Sequence, residues 1–361
     1  MGYFNNINLI NFRNFENYSL SFSNNCNVFY GKNGSGKTNI LEAISLFSKG
    51  RGLRKDKLSN IIKKNCEKFI LKSDFKNEEI IYNLISETEN VNNRIKKIFT
   101  VNNDKSNDSL QTIYDLTTFL YFLPETERLF QSSPSIRRNL IDQFIFTSQN
   151  NYNKLINKYT KLVQERSKVL LNNNNNESWL NQLEKNIAIA ALEIYSLREG
   201  QIKILIENLN IYLNDFNLPF KLDAKLTDKF YISNFSNEDY QKKLKDNRKI
   251  DILFGGCNIG PHKSDFIFYV NDDTFVSQLS TGQQKTIILL MYLSQSKYLF
   301  EVKGKKPILL LDEVCSHLDE VNRNILLTLV ESFNFQIFMT GTSENLFSFL
   351  STNTNFCNIK D

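Results

Sequence analysis

Histidine is scarce in this chain of 361 residues: there are two, His262 and His317. Cysteine is sparse and scattered. Cys26, Cys66, Cys257, Cys315 and Cys357 are odd in number and form no Cys-x-x-Cys pair. That usage argues against a disulfide framework or a zinc site and suits a reducing cytoplasm, the expected location. No apolar run of about 18 residues occurs, so no membrane span or membrane partner is expected. The N-terminal "MGYFNNINLINFRN" has no basic stretch followed by an apolar core, so no secretory leader is expected. Asn6 stands where N-terminal lipidation would need Ser or Thr. Net charge is +5, which permits a nucleic-acid partner without demanding one.

What is present is enough apolar material for a real core, 41% of residues. At about 150 residues per domain the length fits two domains, or one with a large insertion. Residues 3–10 and 18–23 read as short strands, and "NVFYG" (27–31) as a buried strand entering a loop. Residues 37–48 continue as a helix. Alternating stretches between 66 and 101 suit antiparallel strands. From about 130 to 215 the pattern is helical, with Leu155, Tyr159, Leu162 and Val169 at spacings of three, four and seven. The run Asn172–Asn176 reads as a turn between helices. "PILLLDE" (307–313) and "FQIFMTG" (335–341) are short apolar runs suited to central parallel strands. The expected fold is α/β. A head with a mixed sheet comes from residues 1–125 and 251–361, with an antiparallel subregion near 66–101. A mainly helical lobe, 126–250, is inserted in it.

"GKNGSGKT" carries the clearest chemistry. Gly31, Lys32, Asn33, Gly34, Ser35, Gly36, Lys37 and Thr38 fit the phosphate-binding pattern GxxxxGK[ST] in full, between an apolar strand and an amphipathic helix. Glycines let backbone N–H groups close around a β-phosphate. Lys37 neutralises β/γ charge, and Thr38 offers a hydroxyl to Mg²⁺. Asp312, at the end of an apolar strand, is placed to hold Mg²⁺ through water, and Glu313 to polarise an attacking water. ATP and Mg²⁺ are therefore the expected ligands. A second anion-favouring start stands at Ser280, Thr281, Gly282 and Gln283, where hydroxyls and open N–H groups begin a helix. Alone, that feature is as compatible with an ordinary helix cap.

The serial order of P-loop, inserted lobe, "STGQQ", acidic strand and "SHLD" resembles the ABC ATPase superfamily. The stretches at 31–44, 122–142, 260–266, 280–286, 309–323 and 339–342, with "NFRN" at 11–14, resemble the RecF family in its SMC/Rad50-like branch. The resemblance implies a weak, DNA-stimulated ATPase. Ser280–Gln283 would act as a signature that caps ATP held by a second copy, with Ser316 and Asp319 in the D-loop. It implies an ATP-bridged homodimer that clamps duplex, gapped or single-stranded junction DNA without reading sequence. It further implies RecO and RecR as partners, recombinase loading, replication-fork recovery and SOS induction. Three departures stand out, one being that no transporter-type Gln loop is evident: Pro124-Glu125 stands at its place, with its role open. Lys263 and Ser264 replace the family's usual Arg and Asp, and "MTGTS" holds no transporter-type switch His, which leaves the role of Thr340 open.

The basic stretch 48–64 offers Arg51, Arg54 and Lys55 to a phosphate backbone, or forms a solvated surface. Arg137 and Arg138 would anchor the lobe as readily as contact DNA, and Arg13 would lie near the nucleotide or on the surface. The competing functional readings are a transporter ATPase subunit and a nucleotide-gated scaffold without turnover. A full SMC protein would need a longer chain.

Overall fold

A computed structural model describes residues 2–92, 94–172, 177–231, 235–316, 318–351 and 353–360. Its backbone packs as two units, residues 1–127 with 296–361, and residues 128–295. Residues 251–295, expected in the head, pack with the lobe instead, and the Ser280–Gln283 segment goes with them.

The first unit opens with β1 (Gly2–Phe4), β2 (Asn6–Phe12), β3 (Phe15–Ser21) and β4 (Cys26–Tyr30), then α1 (Lys37–Ser45) and α2 (Leu58–Ile61). The strands β5 (Ile70–Asn77), β6 (Ile80–Val91) and β7 (Arg94–Val101) precede α3 (Asn107–Leu116) and β8 (Thr118–Phe122). In the second unit come α4 (Pro134–Ser148), α5 (Tyr152–Leu171), α6 (Glu177–Asp215), β9 (Leu222–Thr227), α7 (Asn237–Asp246), α8 (Arg248–Phe254), β10 (Asp265–Val270) and β11 (Thr274–Phe275). Helix α9 (Thr281–Glu301) leads back to the first unit, completed by β12 (Pro307–Leu311), α10 (Glu320–Glu331), β13 (Ile337–Gly341) and β14 (Asn355–Asn358).

The head's mixed character lies between two sheets, not within one. The order β14-β4-β13-β12-β8 is parallel throughout and draws strands from both chain ends. Its central strands β12 and β13 are buried along their whole length, which is why they read as continuous apolar runs rather than alternating ones. The second sheet, β3-β2-β5-β6-β7 with β1 on β5, is antiparallel, and burial alternates along β5 and β6. Between them lies a core rich in phenylalanine: Phe4 meets Phe47, Phe75 and Phe119 at ring separations of 5.6, 5.1 and 6.0 Å.

In the second unit α6 runs 39 residues, about 60 Å at 1.5 Å per residue. Its buried positions recur every three or four residues, from Leu180 through Ile187, Ile194 and Leu205 to Leu213. On α5 Tyr159 is buried, as its periodicity implied, but so is Arg166. Arg166 is matched by Glu184 at 2.9 Å, Asp251 at 2.7 Å and the Leu244 carbonyl at 2.7 Å, so the charge is paired and each of its three nitrogens donates. Of the asparagine run, 173–176 lie outside the described residues, and Asn172 closes α5.

Candidate nucleotide site

β4 ends at Tyr30 and the chain turns into the P-loop. Gly36 has φ +100°, and a Cβ there would stand 2.6 Å from the Phe15 ring and 2.8 Å from Asn14, so glycine is required. Gly31 passes close to the C-terminal strand, where a Cβ would meet the Ile359 carbonyl oxygen at 2.4 Å. A pocket of about 430 Å³ opens beside this loop, lined by Gly31, Lys32 and Ser35 on one side and Thr342, Glu344 and Asn358 on the other.

Lys37 is buried, and its Nζ donates to the carbonyls of Gly31 at 2.8 Å and Lys32 at 2.7 Å. Burial pulls its pKa below the ordinary lysine value, and the nearby carboxylates of Glu313 and Asp312 counter part of that pull. Thr38 Oγ1 donates to Asp312 Oδ1 at 3.0 Å. Asp312 is 4% exposed at the end of β12, whereas Glu313 is exposed. The structure thus brings together Lys37, Thr38, Asp312 and Glu313 at the C-terminal end of the parallel sheet, where ligands of open α/β sheets collect.

A hydroxyl and a carboxylate side by side form the hard-oxygen pair that suits Mg²⁺, which takes few protein ligands beside water and phosphate. Among the described residues no cluster of three or more His, Cys, Asp or Glu could hold a metal by itself. The donor set fits a cation shared with phosphates, which Thr38 and Asp312 would hold.

Ser280 closes a capping box at the start of α9. Its Oγ accepts from Gln283 N at 3.3 Å, and its own N–H donates to Gln283 Oε1 at 3.1 Å. Ser280, Thr281 and Gln283 are exposed, and Gly282 is half-buried. They belong to the second packing unit, and the P-loop to the first. Asp319 caps α10 by accepting from Asn322 N at 2.8 Å, and Ser316 Oγ donates to the Glu313 carbonyl at 3.0 Å. His317, between them, lies outside the described residues.

Arg13 points to a buried acid. Its guanidinium grips Glu42 of α1 through two bonds, 2.8 and 2.7 Å, and reaches Asp56 at 3.0 Å. Glu42, with Asp56 added, raises its pKa further. Arg54 lies 3.6 Å from Glu42 and donates to Asn39 at 2.9 Å. Asn39 bonds Asn14, whose side chain reaches the Ser35 carbonyl at 3.4 Å. Arg51 and Lys55 are exposed. Arg137 pairs Asp265 through two bonds of 2.8 Å, and Arg138 donates to the Ser264 carbonyl at 2.5 Å, so both hold the second unit together. Ser264, where an Asp is usual, is buried and accepts from Arg198 at 3.0 Å; Arg198 takes its carboxylate from Asp142.

Thr340 is the site residue whose role the sequence left open. Its Oγ1 donates to Asp312 Oδ1 at 2.6 Å and accepts from Glu313 N at 2.8 Å. The available signal was a polar residue ending an apolar strand just before a glycine, as Asp312 ends the neighbouring strand.

A family model described as the RecF/RecN/SMC N terminal domain matches residues 3–358. Proteins named DNA replication and repair protein RecF, from Rickettsia conorii and Rickettsia felis, are 31% and 32% identical over 346 and 345 residues. These alignments cover 93% of this chain and 93% and 92% of the relatives. The chain belongs to the RecF family. Its fold is that of a RecF ABC-type ATPase head with a helical lobe. A structure of the recombination mediator RecF-ATPrS in the RecFOR pathway superimposes with TM-score 0.83 at 28% identity, over 99% of this chain and 96% of that one. RecF-ATP gives 0.81 at 29%, over 95% and 92%. The Smc head domain of Pyrococcus furiosus, at TM-score 0.56 and 16% identity over 100% and 94%, shares the fold. Among the described residues no helix is long and apolar enough to cross a membrane.

Proposed function

We propose that this RecF-family chain is an ATP-controlled DNA-binding protein of recombinational repair and replication-fork recovery, with RecO and RecR as its pathway partners. The observation that carries the reading is the line from Lys37 and Thr38 through Asp312 to Glu313 at the end of the parallel sheet. Lys37 faces the β/γ charge, Thr38 and Asp312 hold Mg²⁺, and exposed Glu313 polarises the attacking water. Charge neutralisation and a fixed base are what phosphoryl transfer to water needs.

Ser280–Gln283, together with Ser316 and Asp319, complete the site from a second copy, so ATP joins two chains. That dimer closes on duplex or gapped DNA, with Arg51 and Lys55 among its phosphate contacts, and hydrolysis reopens it. Recombinase loading and SOS induction follow from placing the clamp at gaps. The test is steady-state ATPase activity against protein concentration, with and without gapped duplex DNA. The reading expects specific activity that rises with protein concentration and rises again with DNA. A rate per chain independent of both would overturn it.

A further inference from the structure

We infer that Thr340 is a positioning residue for ATP hydrolysis, acting through the carboxylate of Asp312 and the backbone of Glu313. This rests on the reading that Asp312 and Glu313 are the hydrolytic pair.

Parallel pairing sets the geometry. Leu311 on β12 is in register with Met339 on β13, so the next residue of each strand, Asp312 and Thr340, emerges side by side. Thr340 is 0% exposed. A hydroxyl has one proton to give, and Thr340 gives it to Asp312 Oδ1 at 2.6 Å while its lone pair takes the Glu313 N–H at 2.8 Å. Both roles of the hydroxyl are therefore assigned, and no water is needed to complete them.

Glu313 shows why this matters. Its φ is +52°, the left-handed region that a side chain with a Cβ seldom adopts unless its neighbours enforce it. Three bonds enforce it here: the N–H to Thr340, and the carbonyl accepting from Ser316 N at 3.2 Å and Ser316 Oγ at 3.0 Å. The backbone is clamped on both sides of a side chain that is itself exposed, so the clamp sets where the carboxylate points. Ser316 holds one side from the same loop; Thr340 holds the other from the next strand. Asp312 Oδ1 also accepts from Thr38. If Thr38 turns its oxygen to a cation, Thr340 remains as the fixed donor that orients Asp312.

The test compares Thr340→Val, which keeps the shape and removes the hydroxyl, with Thr340→Ser, which keeps the hydroxyl. Thr340→Val should lower kcat for ATP about 10- to 100-fold, less than the roughly 10²- to 10³-fold cost of removing a donor that touches the transition state because Thr340 acts through its neighbours, with KM within about threefold. Thr340→Ser should restore most of the rate. As a readout separate from turnover, Thr340→Val should accumulate ATP-dependent dimers by light scattering. Thr340→Cys keeps the size but offers only a weak donor; it carries the same expectation and serves if valine compromises folding. Wild-type kcat in Thr340→Val, or in Thr340→Cys where that variant serves, overturns the inference. So does a parallel loss of ATP binding that serine fails to rescue. Lys37→Ala and Glu313→Gln, run alongside, separate the two levels. If Glu313→Gln hydrolyses at the wild-type rate, the assignment of the hydrolytic pair has failed; if it is blocked while Thr340→Val is normal, only the role of Thr340 has.

Discussion

Thr38 and Asp312 stand 274 positions apart in the chain, yet the threonine hydroxyl lies 3.0 Å from the carboxylate. The parallel sheet makes that meeting: β4 feeds the P-loop, β12 leads straight into Asp312, and β13 runs between them. Each strand delivers its polar residue at the same edge because all three run the same way.

Glu313→Gln keeps the backbone and the side-chain length while removing the base. ATP binding should persist with turnover reduced about 10²- to 10⁴-fold, the usual range for a positioned acid or base. Dimers should accumulate on DNA. Single-turnover hydrolysis and nucleotide retention measure this directly, and a wild-type rate would remove Glu313 from its role.

The three basic candidates for DNA contact should separate. All three are exposed, but Arg54 is also bonded to Asn39 and lies near buried Glu42. Replacing Arg51 and Lys55 together by Ser should flatten log K against log salt by about 0.9 for each phosphate no longer neutralised, with ATP affinity unchanged. Replacing Arg54 should also weaken ATP binding, because Asn39, Asn14 and Ser35 connect it to the P-loop. Salt titrations of DNA affinity, paired with nucleotide binding, report both effects. Unchanged slopes would assign Arg51 and Lys55 to solvated surface.

Lys97 gives a pH signature. Its ammonium donates to the carbonyls of Leu46 at 2.9 Å, Ser48 at 3.3 Å and Gly50 at 2.8 Å, just past the end of α1, and burial pulls its pKa down to about 8. The unfolded chain, with an ordinary lysine, therefore binds more protons between about pH 8 and 10.5, so this group's contribution to stability rises with pH there and is flat below. The urea midpoint of the wild type should gain on that of Lys97→Met between pH 7.5 and 9.5. Parallel profiles would mean that Lys97 titrates like a surface lysine.

The parts legible in sequence were those written as contiguous strings. The P-loop, the two carboxylates and the strands around them needed no knowledge of distant residues, since strand, glycine and hydroxyl positions are local. Strand placement followed from burial: β12 and the first residues of β13 are apolar because both faces are covered, and β5 and β6 alternate because one face is wetter. What was hidden depends on register and long-range pairing. Thr340 acquires its role from lying beside Asp312 on the next strand. Buried Arg166 is tolerated only because Glu184 and Asp251 converge on it from 18 and 85 positions away. Residues 251–295 pack with the lobe although their motif order reads with the head, since motif order says nothing about which apolar faces meet.

The central claim, that one ATP site is built from the P-loop of one copy and the signature of another, is tested by mixing two inactive variants. Ser280→Arg puts bulk and charge at the start of α9 and also removes a helix cap worth about 1 kcal/mol, so its folding is checked first. It should still bind ATP as a monomer and should fail to dimerise. Lys37→Ala should lose ATP binding by about 10- to 100-fold, the scale of a charge-assisted hydrogen bond. Each homodimer has two defective sites. A mixed dimer has one site with both defects and one with neither, so ATPase activity and ATP-dependent dimers should return on mixing. If neither returns, and Ser280→Arg alone cannot bind ATP, then Ser280 acts within its own chain as a helix cap and the two-copy site is wrong.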